Sequence, residues 1–412
     1  MIVKSPRVLI LTACSCAIFW PGAFIFGLPG VLRQHWQQAF DAGGSTVGGT
    51  IFFILSGATC FMYLCGRLQE KYSPGKLAAI GSVMCGSSAI WLSHAGSMLE
   101  VNIWAFSAGA SSAFIYLPGL TVVQRWYPER RGLVSGFFSM AFGVSAAIMS
   151  PIFSILLLKW GYETLTLATG FTALLIGLGA SILIRFPEAD PLAAASATSM
   201  APSGRSVAEA LRSRDFWCLW LTWVFAGAAG ASMLILATGF GLDRGLHLAH
   251  AVALLTAFNL TNGFGRLISG YLSDRIGRSR TMAISFVSAG LAYLIMPHLA
   301  GLWVWATLAA VIGFAFGTLF AISGPLTGDC FGMAHFGSIF GLVFTAYGFV
   351  SGPIGPWLTG HILDVTRDNY TLVFSYLVLL FMVAAGLILL VRPWRECRML
   401  KREKSGGRQM SC

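Results

Sequence analysis

Twelve predominantly apolar stretches, each of roughly 20 residues or more, dominate this chain; they lie near 8–31, 48–68, 76–97, 100–124, 132–158, 163–186, 215–242, 249–273, 281–301, 303–328, 337–363 and 370–391. A helix of that length, rising about 1.5 Å per residue, crosses a hydrocarbon core of about 30 Å. Inside hydrocarbon every backbone N–H and C=O needs an internal partner, so stretches of this kind fold as helices. The composition agrees: 56% hydrophobic residues, 10% charged residues and a mean hydropathy of +0.74 are far too apolar for an ordinary soluble domain. The fold class expected is an all-α, multi-pass membrane protein with twelve transmembrane helices.

The basic residues give an orientation. With the N-terminus inside, 22 of the 27 Lys and Arg fall in cytoplasmic segments, Arg33, Lys159, Arg244 and Arg367 fall outside, and Arg266 alone sits within a span. Positive charge retained inside predicts that both termini are cytoplasmic. The basic tail over 392–412 then reads as an anchor beside anionic headgroups, and the spread of the +11 net charge argues against a nucleic-acid partner. The first apolar run follows Lys4 and Arg7 and has the length of a full span, so it is expected to stay as a helix and not be cleaved as a signal peptide. The nine cysteines are scattered without metal-ligand spacing and read as small packing residues. Short loops suit a bacterial inner membrane and a monomer. No cofactor and no metal are expected.

An Ala-, Ser- and Pro-rich break over 187–214 divides the chain into halves over 1–186 and 215–391, each with six spans. The halves repeat. Gly66-Arg-Leu-Gln-Glu-Lys-Tyr-Ser-Pro-Gly-Lys76 follows the second span, and Gly270-Tyr-Leu-Ser-Asp-Arg-Ile-Gly-Arg-Ser-Arg280 follows the eighth, offset by 204. Gly132, Gly136 and Gly143 recur as Gly337, Gly341 and Gly348, offset by 205. Two motifs repeating at nearly one offset mark an internal duplication.

The loop Gly-x-Leu-x-Asp-Arg-x-Gly-Arg at Gly270–Arg278, with its weaker copy at Gly66–Lys76, resembles the signature of the major facilitator superfamily. That resemblance covers essentially the whole chain. It implies two pseudo-symmetric six-helix bundles that expose a central cavity alternately to each side. It also implies that Gly66, Glu70, Gly270, Asp274, Arg275 and Arg278 belong to gating loops. Arg125-Trp-Tyr-Pro-Glu-Arg-Arg-Gly-Leu-Val-Ser-Gly136 and Asn262-Gly-Phe-Gly-Arg266 are similar, more narrowly, to the monocarboxylate transporters and oxalate:formate antiporters. This narrower resemblance implies that Arg266 binds substrate. Where monocarboxylate transporters commonly carry an Asp four residues before that Arg, this chain has Asn262, so the family's proton acceptor is missing.

The residues of the eighth span point to a site independently. Asn259, Asn262 and Arg266, spaced i, i+3 and i+7, form one polar stripe on an apolar helix. A cation at membrane depth costs at least a few kcal/mol, so it normally faces a cavity or partner and has a function. Its planar guanidinium can take a carboxylate through two parallel N–H bonds. The bland alternative is a structural cation bonded to backbone carbonyls, with the two asparagines serving as interhelical glue.

One buried cation suits one carboxylate. Aligned with the eleventh helix of the oxalate transporter, Phe344-Thr-Ala-Tyr-Gly348 places Tyr347 where that family has a second cation, a lysine. Tyr116, Phe344 and Tyr347, with Phe19 and Trp20, are the aromatic candidates for the rest of the pocket. No acidic residue lies near the centre of a span. A proton would then travel on the substrate acid itself, with His361 as an alternative acceptor. The chain shows no nucleophile with a base, no metal cluster and no phosphate-binding loop, which excludes the common enzyme classes and direct ATP drive. The expected activity is secondary transport of a small monocarboxylate of the lactate or pyruvate type with a proton; an organic-anion exchanger and a multidrug or metabolite exporter are the alternatives.

Overall fold

A computed structural model describes residues 6–42, 46–47, 49–187, 204–366 and 369–392. The helices run in the order α1 (Pro6–Phe26), α2 (Leu28–Ala39), α3 (Thr50–Leu68), α4 (Pro74–Leu92), α5 (Met98–Trp126), α6 (Arg131–Leu183), α7 (Val207–Leu211), α8 (Arg214–Asp243), α9 (Leu248–Ile276), α10 (Arg278–Ile295), α11 (Leu302–Phe331), α12 (Phe336–Ala346), α13 (Leu358–Thr366) and α14 (Tyr370–Leu389). Two helical stretches depart from the one-run-one-helix expectation. The 53-residue α6 supplies two spans because Gly161 (φ 78°, ψ 178°) turns the chain where no Cβ opposes it. The eleventh span is composite: α12 passes through two π-helical turns, Tyr347–Ser351 and Pro353–Trp357, before α13. Pro353 and Pro356 cannot donate to the helical ladder, and the chain widens there.

Ten helical stretches among the described residues are long and apolar enough to cross a membrane, α6 counting once. Outside that set, α9 has the required length of 29 residues, but Asn259, Asn262 and Arg266 dilute its hydropathy. Most of the expected linker, over 188–203, most of the basic tail, over 393–412, and Arg367 lie outside the described residues. The end of the linker is described. Ser206 and Glu209 form a capping box that starts α7, and the Arg205 N–H donates to the Phe331 carbonyl at 2.9 Å.

Within the first bundle α1 packs on α5 and α6, and α3 and α4 pack on α5; within the second, α9 packs on α11, and α10 and α14 on one another. Lipid tails are as apolar as leucine, so helices associate in a membrane by close packing, not by hydrophobic expulsion. The duplicated glycines provide that closeness. On α5 a Cβ at Gly109 would strike the Ile54 carbonyl of α3, and on α11 a Cβ at Gly313 would strike the Phe258 carbonyl of α9. Both residues of each pair are offset by 204.

The bundles meet along two seams, α3 against α12 and α6 against α9. Here the glycines of the repeat touch backbone to backbone. A Cβ on Gly66 would meet the Gly337 carbonyl, and one on Gly132 would meet the Gly270 carbonyl. One turn deeper, Gly341 faces Met62 and Tyr63, and Gly136 faces the Arg266 carbonyl. These crossings lie toward the end of the molecule where the described chain begins at Pro6 and ends at Arg392, here called the terminal face; the opposite end is the distal face.

Candidate functional site

Arg266 is 1% exposed, among the largest fully buried side chains of the protein. Its Nε donates to the Asn262 carbonyl (3.2 Å), Nη2 to the Asn262 Oδ1 (3.2 Å), and Nη1 crosses the seam to the Ser139 carbonyl on α6 (3.1 Å). Gly143, also on α6, leaves room for the guanidinium, since a Cβ there would lie 3.2 Å from its Cζ. The flat face rests 4.6 Å from the centroid of the Phe320 ring of α11. Three of five guanidinium N–H groups are thereby used, all on neutral oxygens. No carboxylate lies within ion-pair distance of Arg266 among the described residues. The cation is oriented and its charge is uncompensated.

Beside it lies a small cavity of about 40 Å³ lined by Ile25, Phe26, Ile54, Leu55, Ala58, Met62, Ser112, Tyr116, Phe142, Phe320, Phe344 and Tyr347. Phe320 belongs both to this wall and to the guanidinium stack, and Tyr116 and Tyr347 are close enough to Arg266 to interact with it electrostatically. The lining is almost wholly apolar, yet the buried Tyr116 hydroxyl has no hydrogen-bond partner. An orphaned hydroxyl next to an uncompensated cation is a place for a small polar ligand. A more open cavity of about 370 Å³, lined by Asp243, Arg244, Asn369, Tyr370 and Thr371, lies at the distal face away from this chemistry.

The polar stripe of α9 therefore divides its work. Asn262 holds Arg266 through two of the three bonds, a role between the expected substrate contact and the bland alternative. Asn259 is exposed, on the same helix face as Arg266 and about 10 Å nearer the distal face. Phe264 and Ile268, half exposed, occupy the opposite face. Tyr116, Tyr347 and Phe344 come together at the cavity. Phe19 and Trp20 do not, Trp20 packing instead on Phe24. His361 is exposed and stacked on Trp357, away from the cavity.

The duplicated loops close the terminal face. Asp274 accepts from the N–H groups of Gly132 (3.0 Å) and Leu133 (2.9 Å), the open first turn of α6 in the other bundle. A carboxylate at a helix N-terminus satisfies orphan donors and meets the positive end of the helix dipole. Asp274 also pairs with Arg278 (3.1 Å), which bonds Asp329, and Arg131 of the other bundle approaches Asp329 at 3.5 Å. In the other seam Glu70 accepts from Ser338 Oγ (2.8 Å) and pairs with His335 Nδ1 (3.2 Å). Burial raises the Glu70 pKa, but the bonds from Ser338 and His335, with the charges of His335 and Arg67, outweigh it and hold the carboxyl below its ordinary value. Arg275 takes no part in these contacts: it is exposed and lies over the ring of Tyr271 on its own helix.

Sequence reasoning gave no role to Ser139, Phe320, Asp329, Ser338 or His335. The repeat offset contained part of the signal. Phe320 is Tyr116 plus 204, and Ser338 is Leu133 plus 205, so the partners of one half point to those of the other.

The Major Facilitator Superfamily family model matches residues 8–253 and 235–408. The chain belongs to the Major Facilitator Superfamily. Among relatives of this superfamily, the oxalate:formate antiporter of Oxalobacter formigenes is 26% identical over 68% of this chain and 67% of its own length. Monocarboxylate transporter 2 of Rattus norvegicus is 24% identical over 94% of this chain and 84% of its own. The crystal structure of the Escherichia coli fucose:proton symporter FucP shares the fold, with a TM-score of 0.70 at 18% identity, covering 94% of this chain and 100% of that one. As a superfamily member this is a multi-pass membrane transporter.

Proposed function

We propose that this transporter carries a small organic monocarboxylate, of the lactate or pyruvate type, together with a proton. The observation that supports it best is Arg266: a fully buried cation, pre-oriented by Asn262 and Ser139, without an acidic partner among the described residues, next to a small aromatic cavity. A carboxylate entering there supplies the missing charge, with the Tyr116 hydroxyl as a further donor. The names of two relatives, an oxalate:formate antiporter and a monocarboxylate transporter, point to the same substrate class.

With one cation and no titratable carboxylate in the cavity, the proton travels on the substrate. Protonation removes the charge that holds the acid to Arg266, and the neutral acid leaves. The bias of Lys and Arg makes the terminal face cytoplasmic, so the closed gate described above faces inward.

The test is uptake of labelled lactate and pyruvate into proteoliposomes, with wild type and Arg266→Ala, with and without an inward proton gradient. The expected result is uptake by wild type that rises as outside pH falls and is lost in the variant. Uptake independent of pH overturns the proton coupling. A strict requirement for substrate on the opposite side replaces symport by exchange, and transport that survives Arg266→Ala overturns the site.

A further inference from the structure

The wall of the cavity continues toward the terminal face as a pair of stripes that the duplication places opposite one another. On α5 Ser112, Tyr116, Leu120 and Gln124 follow at intervals of four, on one helix face. On α11 the positions offset by 204 from the last three are Phe320, Gly324 and Gly328. Tyr116 and Phe320 line the cavity. Below them the side chains of one stripe fill the space left by the glycines of the other: a Cβ on Gly324 would strike Leu120, and lies 3.2 Å from the Gln124 amide nitrogen. A Cβ on Gly328 would lie 3.4 Å from the Gln124 amide oxygen.

Gln124 is 0% exposed, and neither its amide nitrogen nor its amide oxygen has a hydrogen-bond partner. Burying an unpaired amide is destabilising, because its donor and acceptor lose water without gaining a partner. A hydrophobic side chain would fill this space without that penalty. A second orphaned donor lies nearby: the buried Gln69 Nε2 has no partner, while Gln69 Oε1 accepts from Thr121 Oγ1, one turn from Gln124 on α5, at 3.4 Å. Two orphaned amide NH₂ groups thus lie between the bundles, that of Gln124 about 12 Å below Tyr116 along α5.

We infer that Gln124, with Gln69, forms a second station for the carboxyl group, which receives the protonated acid on the terminal side after it leaves Arg266. Leu120 is the apolar barrier between the two. In the closed form the station is sealed by Leu120 and the α11 glycines; when α5 and α11 separate, both amide NH₂ groups face the passing acid. Neutral amides hold a neutral carboxyl group weakly, as a release site requires. The inference rests on the monocarboxylate reading above.

The experiment measures KM from each face separately, in oriented proteoliposomes, with formate, acetate, lactate and pyruvate as probes. Gln124→Met, close in volume but without donors, is expected to raise the terminal-face KM by about tenfold, the loss of one good hydrogen bond, while the distal-face KM stays within about twofold. Gln124→Glu puts an acidic group on the station that cannot donate once ionised, and its terminal-face KM is expected to rise from pH 5 to pH 8 by more than the wild-type KM does; a rise equal to that of wild type overturns the station. Equal changes on both faces make Gln124 a structural filler and overturn the station, as does no change on either face. Wild type that transports none of the four anions overturns the monocarboxylate reading, and the station falls with it.

Discussion

The two seams of this transporter share a backbone and differ in chemistry. In each, a glycine at the end of an early helix meets the first glycine of a helix in the other bundle, Gly66 with Gly337 and Gly270 with Gly132, and an acidic residue four positions on reaches across. Asp274 grips backbone N–H groups and joins a largely buried network with Arg278, Asp329 and Arg131. Glu70 reaches only side chains, Ser338 and a His335 that is 39% exposed. Deeper in, Arg266 on one side corresponds to Met62 on the other, offset by 204. The duplication kept what is steric and let the electrostatics diverge, so that one seam bears both the stronger lock and the cation.

The shared part should break alike in both seams. Gly132→Val and Gly337→Val each put carbon where a backbone already stands, and each is expected to abolish closure of the terminal face and nearly all transport. Spin-label distances across that face, with uptake, check this. A seam that closes normally with valine in place makes the glycine contact incidental.

The divergent part should respond on one side only. Arg266→Met makes the halves alike and is expected to lower kcat/KM at least about thirtyfold, the loss of a charge-assisted pair. Met62→Leu, its counterpart, is expected to stay within about threefold. Equal losses would mean that Arg266 acts through packing alone.

A smaller asymmetry is expected at the acidic residues. Asp274→Asn loses one cap acceptor and the ion pair with Arg278, shifting the gate toward its open form by about 1–2 kcal/mol, or about five- to thirtyfold in population. Glu70→Gln, at a more exposed pair, should shift it by no more than about fivefold. Cysteine accessibility from the terminal face measures both, and the reverse order would refute the ranking of the locks.

The smallest effect is on pH. Because Ser338, His335 and Arg67 hold the Glu70 carboxyl below its ordinary pKa of 4.5, its contribution is present above that value and fades as pH falls through the lowered pKa. Between pH 8 and pH 6 the α3/α12 seam should therefore not move, and below pH 4 it should loosen in wild type but not in Glu70→Gln. Loosening already at pH 6 would overturn the role given to Glu70.

Much of this was legible in the chain itself. The apolar runs dictate helices because hydrocarbon offers the backbone no hydrogen bonds, and the repeat of Gly66 and Gly132 at Gly270 and Gly337 announced the two-bundle duplication. Arg266 stood out because a charge in such a run is costly. What surrounds it was less legible, since carbonyl acceptors such as that of Ser139 carry no side-chain signature, and Phe320 is one of 31 phenylalanines in an apolar chain. Arg275 shows the limit of motif reasoning: it sits in the gating loop by sequence, yet helical geometry points it away from the seam.

The spans, the duplication and the one cation at membrane depth follow from the chain alone, because each rests on local hydropathy or on spacing along the chain. Which helices face one another, that the Ser139 carbonyl and the Phe320 ring enclose Arg266, and that Gln124 is buried without a partner emerge from packing in three dimensions. They depend on contacts between residues far apart in the chain, 127 positions for Ser139 with Arg266 and 200 for Gln124 with Gly324, where the fit of side chains into glycine-lined space, not any local pattern, selects the neighbours.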